Sequence, residues 1–396
     1  MVMSRINYLL TVSFLRYIIL LPTIADKLTE VPIDEDRVSD SGFLRKALDI
    51  LWYERDQMGH TPLFKVNVPG ATNLELFFKN EATSRTGNLK HRFSWALFLW
   101  ALLEGHITRY TTIYEASSGN TATSEAYFAQ KIGVSFVAVI PVTTDQAKID
   151  AIEHFGGKVI KVEKDTVAKA SAEAERNNGF FMNQFANADR AKEFHMGGEK
   201  PMESTNVLHE IMHQLYQLDG RPKQPKDPDF VIVLADSQFS AFYDHVIHNK
   251  FGDSRVPYQL GPGMAGTGTD GPVKLGNTTS LVASVIDRAV KLPDLASTAA
   301  MHVLQAIGIE AGTSSGMNFL TTLSLSAKYR RTNPGRQLRV VAILADSSSL
   351  YSGTYFNKTW IDDKFKMLGG LQIFNCWKKV IERSYRTGEG LNRLKM

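Results

Sequence analysis

Two rhythms of apolar residues alternate along this chain. Short runs rich in β-branched and aromatic residues, bounded by Gly, Pro or Asn, give way to longer stretches in which apolar side chains recur at every third or fourth position. The first rhythm predicts strands at Ala71–Lys79, Thr112–Glu115, Val134–Ile140, Lys158–Val162, Phe230–Ala235 and Arg339–Ala345. The second predicts helices over His91–Leu103, where Trp95, Leu99 and Leu102 share a face, and over Ala122–Lys131, Ala147–Phe155, Thr205–Leu218, Leu281–Ala289 and Met301–Ala306. Between the Phe230 strand and Pro272 the pattern is irregular. Strands separated by helices imply βαβ units and mostly parallel sheets, whose ligands sit beyond the C-terminal strand ends at helix N-termini. The polar loop between Glu115 and Ala122 occupies such a place.

A chain of 396 residues exceeds what one simple core holds, so two α/β domains are expected. The net charge of +4 is unevenly spread: from Lys364 onward Lys and Arg outnumber Glu by six, which leaves the body slightly acidic. No basic-aromatic motif of a nucleic-acid module accompanies that tail, and a nucleic-acid partner is not expected. Cys376 is the single cysteine, which removes any internal disulfide framework and points to a reducing, cytoplasmic setting. Residues 1–30 form a leader of uncertain role. Arg16 interrupts its apolar stretches, so no stable membrane span is expected, while a secretory signal ending near Ala25, a mitochondrial presequence or a mis-assigned first exon all stay open.

The chemistry concentrates in three strings. In Ser84-Arg-Thr-Gly-Asn-Leu-Lys90, a Gly87-Asn88 turn delivers Lys90 to the start of a helix, where it is either a solvated cap or an amine nucleophile. Ser117-Ser118-Gly119-Asn120-Thr121 offers hydroxyl, amide and N–H donors in succession, more than the one residue an N-cap needs. The third string is Gly312-Thr-Ser314-Ser-Gly316. It fits the serine-hydrolase elbow in outline, without the oxyanion or triad context that elbow requires.

Together these strings resemble the cysteine synthase and cystathionine β-synthase branch of the fold-type II pyridoxal-phosphate enzymes, most closely its cysteine synthase-like and cysteine desulfhydrase-like members, over about residues 55–362. The resemblance implies a tryptophan synthase β-like fold of two three-layer α/β domains with mostly parallel sheets. Residues 31–83 with 201–362 would form the large cofactor domain, 84–200 the smaller substrate-loop domain, and 363–396 a basic C-terminal tail. It also implies pyridoxal 5'-phosphate as cofactor and a homodimer. The reaction implied is β-elimination or β-replacement on a small amino acid such as cysteine, serine or O-acetylserine. By that resemblance Lys90 forms the Schiff base and moves the α-proton, Asn120 contacts the cofactor's phenolic oxygen, and Ser314 meets the pyridine nitrogen. Ser117, Ser118, Gly119, Asn120 and Thr121 hold the substrate carboxylate, and Asp346-Ser347-Ser348 resembles a stretch near the ring nitrogen.

One departure from the family stands out. After a strand such as Asp229–Val233 the family carries a Gly-Thr-Gly-Gly-Thr loop whose N–H groups cradle the cofactor phosphate, followed by a helix and a second strand. Here the strand runs at once into Leu234-Ala-Asp236, as though the cup and its helix were missing between 233 and 234. The Gly-rich segment Gly261–Gly268 is a possible substitute, although by chain order it resembles a stretch lining the mouth of the site. A catalytically impaired member or an incomplete isoform is therefore the alternative to a working enzyme. A remote third reading is a zinc peptidase built on His209-Glu210-x-x-His213. No third ligand follows at a recognised spacing, so no metal is expected.

Overall fold

The computed structural model describes residues 35–190, 206–220, 230–250, 263–268 and 281–391. The chain divides into Met1–Arg45 and Lys46–Met396. Of the first unit only 35–45 is described, as the opening of helix α1 (Glu35–Gln57); the leader reading lies outside the described residues. No helix among the described residues is long and apolar enough to cross a membrane.

In the second unit, β1 (Leu63–Val66) and β2 (Leu74–Asn80) lead to α2 (Lys90–Leu103), then to β3 (Thr112–Glu115), α3 (Asn120–Ile132), β4 (Ser135–Pro141), α4 (Gln146–His154), β5 (Lys158–Val162), α5 (Thr166–Arg176) and the short β6 (Phe180–Phe181). Strands β3 to β6 form a parallel sheet in the order β5-β4-β3-β6. Five consecutive residues of β4, Phe136–Ile140, are buried, as a strand covered on both faces requires. Helix α2 is apolar nearly all round and correspondingly buried, with the Trp95 indole donating to the Leu51 carbonyl at 2.7 Å. Helix α3 stops at Gly133, whose φ of +81° is the left-handed cap that glycine adopts without strain.

The later elements are α6 (Val207–Leu218), β7 (Val233–Ser237), α7 (Phe242–His248), β8 (Arg288–Leu292), α8 (Asp294–Ala306), α9 (Thr313–Thr332), β9 (Leu338–Leu344), α10 (Lys358–Lys364) and α11 (Gly370–Thr387). β9 lies parallel to β2, which pairs antiparallel with β1 on its other edge; β7 and β8 form a separate parallel pair. Among the described residues, then, this half of the protein has two partial sheets and not one continuous sheet. The largest core joins β2 and β9 with α8, α9 and α11, through Phe78, Met301, Phe319, Phe374 and Ile381. The basic C-terminal stretch thus includes a helix that contributes to the core.

Two sequence expectations are corrected. Residues Leu281–Ala289 do not form a helix: a 3₁₀ turn at Ala283–Val285 leads into β8. Its β-branched residues suit strand pairing, and Asp287 fixes the entry by accepting the Ile232 N–H at 2.7 Å. The next helix begins at Asp294 after Pro293, one and a half to two turns before the expected Met301. The irregular stretch contains helix α7.

The H-E-x-x-H string also resolves. Glu210 is buried, receiving Arg92 Nη1 at 2.6 Å on one oxygen and Lys79 Nζ at 2.7 Å on the other. Arg92 also pairs with Glu81 at 2.9 Å. His209 is exposed, and His213 packs edge-on against His60 with centroids 5.7 Å apart. No set of three potential metal ligands occurs among the described residues. Glu210 ties α6 to β2 and α2, and a carboxylate so engaged is not a free base. Glu210→Ala should destabilise the fold by about 3–5 kcal/mol, because it leaves buried Lys79 and Arg92 short of a countercharge. His213→Ala should cost under about 1 kcal/mol. Denaturant midpoints check both, and equal costs would refute the assignment.

Candidate active site

The site forms where the C-terminal ends of β3 and β9 meet the N-termini of α2, α3 and α9. Its centre is the pair Ala345-Asp346, just past β9. Leu89 donates its N–H to the Ala345 carbonyl at 2.8 Å, and Asn88 bridges to Asp346. From α9, Ser315 Oγ accepts the Ala345 N–H at 3.1 Å, and Gly312 donates to the Asp346 carbonyl at 3.1 Å. From α3, Asn120 Nδ2 donates to Asp346 Oδ2 at 2.8 Å. One dipeptide thereby gathers the three segments that carry Lys90, Asn120 and Ser314.

Lys90 is delivered by a rigid turn. Buried Asn88 accepts the Lys90 N–H at 2.9 Å and the Ser124 hydroxyl at 3.1 Å on Oδ1, and donates to the Thr86 carbonyl at 2.8 Å through Nδ2. Gly87, with φ of +70°, makes the bend. The half-buried Lys90 side chain has no hydrogen bond or ion pair among the described residues; its amine lies 5.0 Å from the Phe93 ring centroid. Burial holds its pKa below the usual lysine range, opposed by the charge of Glu125. Such an amine is available to react.

Ser117, Ser118, Gly119 and Asn120 are half-buried at the end of β3, and the first N–H groups of α3 have no intrahelical acceptor. Glu115, fully buried beneath the loop, accepts the Ala116 N–H at 2.8 Å and the Gln184 N–H at 3.0 Å. Desolvation raises its pKa to about 7. Thr121 differs from its neighbours: it is buried, and its hydroxyl donates to Gln184 Oε1 at 2.6 Å, so its side chain braces the loop from below. Ser314 is half-buried in the first turn of α9, and none of the described residues hydrogen-bonds its hydroxyl.

Asp346, Gly312, Tyr351 and Lys148 complete the site, the last two lying outside the motifs. Asp346 Oδ2 also accepts the Tyr351 hydroxyl at 2.7 Å, while Oδ1 has no partner among the described residues; burial raises its pKa. Gly312 is required beside it, since a Cβ there would fall 1.9 Å from Asp346 Oδ1. Lys148 on α4 stands 5.1 Å over the Tyr351 ring.

The family profile described as "Pyridoxal-phosphate dependent enzyme" matches residues 55–233. A pyridoxal-phosphate dependent protein of Caenorhabditis elegans is 40% identical over 90% of this chain and 89% of its own length. The L-cysteine desulfhydrase of Mycobacterium tuberculosis is 31% identical over 80% of this chain and 88% of its own length. A hydrogen sulfide-producing enzyme of Fusobacterium nucleatum shares the fold, with a TM-score of 0.57 at 23% identity over 75% of this chain and 98% of that one. The chain belongs to the pyridoxal-phosphate-dependent enzyme family. Its fold is that of the fold-type II members.

The residues present fit one half of that cofactor. A desolvated amine, an amide clamped by Asp346 and an uncommitted serine hydroxyl suit its aldehyde and ring. The phosphate half finds no match among the described residues. The family profile stops at Val233, no Gly-Thr-Gly-Gly-Thr string follows it in the sequence, and among the described residues β7 pairs only with β8. In the described part of the glycine-rich substitute, residues 263–268, three of the six N–H groups are engaged within the protein. Gly263 donates to Asp294, Ala265 donates to the Tyr355 hydroxyl at 2.7 Å, and Thr267 donates to the Met264 carbonyl at 3.2 Å. The Ala265 carbonyl accepts the Thr313 hydroxyl at 2.8 Å, which ties the segment to the turn bearing Ser314.

Proposed function

We propose that this protein catalyses pyridoxal-phosphate-dependent β-elimination or β-replacement on cysteine, serine or O-acetylserine. The observation that carries the reading is the convergence of the segments bearing Lys90, Asn120 and Ser314 on Ala345-Asp346, in a member of a family whose relatives include a cysteine desulfhydrase. Bound pyridoxal phosphate withdraws electrons from the substrate Cα and acidifies its hydrogen. Lys90 is the general base for that hydrogen, and desolvation, by lowering its pKa, favours the neutral amine that accepts it. The α3 N-terminus and the hydroxyls of Ser117 and Ser118 bind the α-carboxylate, with Glu115 bracing the loop beneath. Asn120, oriented by Asp346, would hold the phenolic oxygen and Ser314 the ring nitrogen. A neutral hydroxyl at that nitrogen favours loss of a β-substituent over transamination.

The cysteine synthase-like division, with 84–200 as a substrate-loop domain against 31–83 plus 201–362, a homodimer and a cytoplasmic setting belong to the same reading. The division is supported by sheet membership, since β3 to β6 fall within 84–200 and the remaining strands outside it. Incubating the purified protein with cysteine and excess cofactor should release sulfide and pyruvate together. Release of neither at saturating cofactor, together with no replacement product from serine or O-acetylserine supplied with sulfide, would reject the reading. A second reading, an impaired or incomplete member, is favoured by the profile's end at Val233 and by the split between β7 and β9.

A further inference from the structure

Glu125 lies on α3, five residues past Asn120, and no motif singles it out. It is fully buried, and neither carboxyl oxygen has a hydrogen-bond partner among the described residues. An uncompensated carboxylate in such a place is costly, so the side chain needs either a proton or a nearby positive charge. Its helix packs against the residues on both sides of Lys90. Ser124 bonds to Asn88 at 3.1 Å and to Thr86 at 2.9 Å, while Phe128 stacks on His91 at 4.9 Å. One turn before Glu125, Thr121 reaches Gln184, which binds Glu115.

We propose that Glu125 is a positioning residue for Lys90, the buried carboxyl that lets the Lys90 amine carry a proton in a site that otherwise expels the charge. This rests on the reading of Lys90 as the reacting amine. Lys90 from α2 and Glu115 from β3 both act electrostatically on Glu125, Glu115 raising its pKa and Lys90 lowering it. Beside Lys90, His91 is held neutral, its pKa lowered to about 3 by burial and by Arg92 and Arg85. Two N–H donors stabilise Glu115 as the anion, whereas among the described residues Glu125 has none, so the Lys90 amine is the group that stabilises Glu125 as one. A base that takes a hydrogen from Cα becomes an ammonium and must survive as one until it gives the proton up. Desolvation alone opposes that state; the Glu125 carboxylate, its proton already lost to solvent, offsets the opposition as a countercharge, and no bond is made or broken at Glu125 in the transfer itself.

The test is the pH profile of acetic anhydride labelling at Lys90, read by peptide mass spectrometry on the full chain without cofactor or substrate. Replacing the carboxyl removes the countercharge, so Glu125→Gln and Glu125→Leu should both move the Lys90 midpoint to lower pH. A shift of about one pH unit would raise labelling about fivefold or more at one unit below the wild-type midpoint, where about a tenth of the amine is free. Glu125→Asp should fall between. A merely structural glutamate would leave the midpoint unmoved. Unchanged midpoints in folded Gln and Leu variants, a shift to higher pH, or loss of the fold in both would overturn the proposal. Because the reagent reads the amine directly, a shifted profile stands even if pyridoxal phosphate fails to label Lys90, a result that would instead sink the Schiff-base reading.

Discussion

Pyridoxal phosphate is expected to bind this chain three to six orders of magnitude more weakly than it binds a relative with a Gly-Thr-Gly-Gly-Thr cup. A charge-assisted hydrogen bond to phosphate contributes about 1.5–3 kcal/mol, and the cup supplies several. Losing three removes about 4.5–9 kcal/mol, and each 1.4 kcal/mol is tenfold in affinity. The glycine-rich alternative has a reduced set of donors in its described part, because Gly263, Ala265 and Thr267 already donate within the protein. Equilibrium dialysis against the cofactor measures the constant directly. Inserting a strand-closing glycine-rich loop and helix between Val233 and Leu234 should recover affinity, and should improve solubility by covering apolar surface. Tight stoichiometric binding by the chain as it stands would show that another segment holds the phosphate.

The second large effect is at Lys90. Replacing it with alanine removes the amine that moves the Cα hydrogen, and loss of a positioned general base alone costs about 10²–10⁴ in rate. Loss of the Schiff base deepens the deficit and should abolish the visible absorption band of the loaded protein. The fold should survive, because the Lys90 side chain makes no hydrogen bond or ion pair among the described residues and the turn is held by Asn88. Circular dichroism and rate measurements on Lys90→Ala check the two halves of this expectation.

The parts of the site visible in the sequence are those encoded locally. The five polar residues after Glu115 are contiguous, and the Gly87-Asn88 turn sits next to the lysine it positions, so their chemistry can be read from the string alone. Asp346 clamps Asn120 across 226 residues, a separation over which spacing carries no information. Glu125 sits in an Ala-Tyr-Phe context that reads as ordinary helix, and only burial without a partner sets it apart. The same limit explains the H-E-x-x-H string: two histidines one turn apart say nothing of the Lys79 and Arg92 that face the glutamate between them. The Leu281 stretch was ambiguous for another reason. Its short apolar run fits helix or strand alike, and pairing with β7 decided for the strand.

The central claim, that the Lys90 amine is the group which captures the cofactor, is tested most directly by borohydride. Incubation with millimolar pyridoxal phosphate overcomes weak phosphate binding, and reduction fixes the label to whichever lysine has reacted. Peptide mapping should place the dominant label on Lys90, with substrate amino acid competing it away and the Lys90→Ala protein lacking it. Label spread over exposed lysines with none on Lys90 would contradict the account.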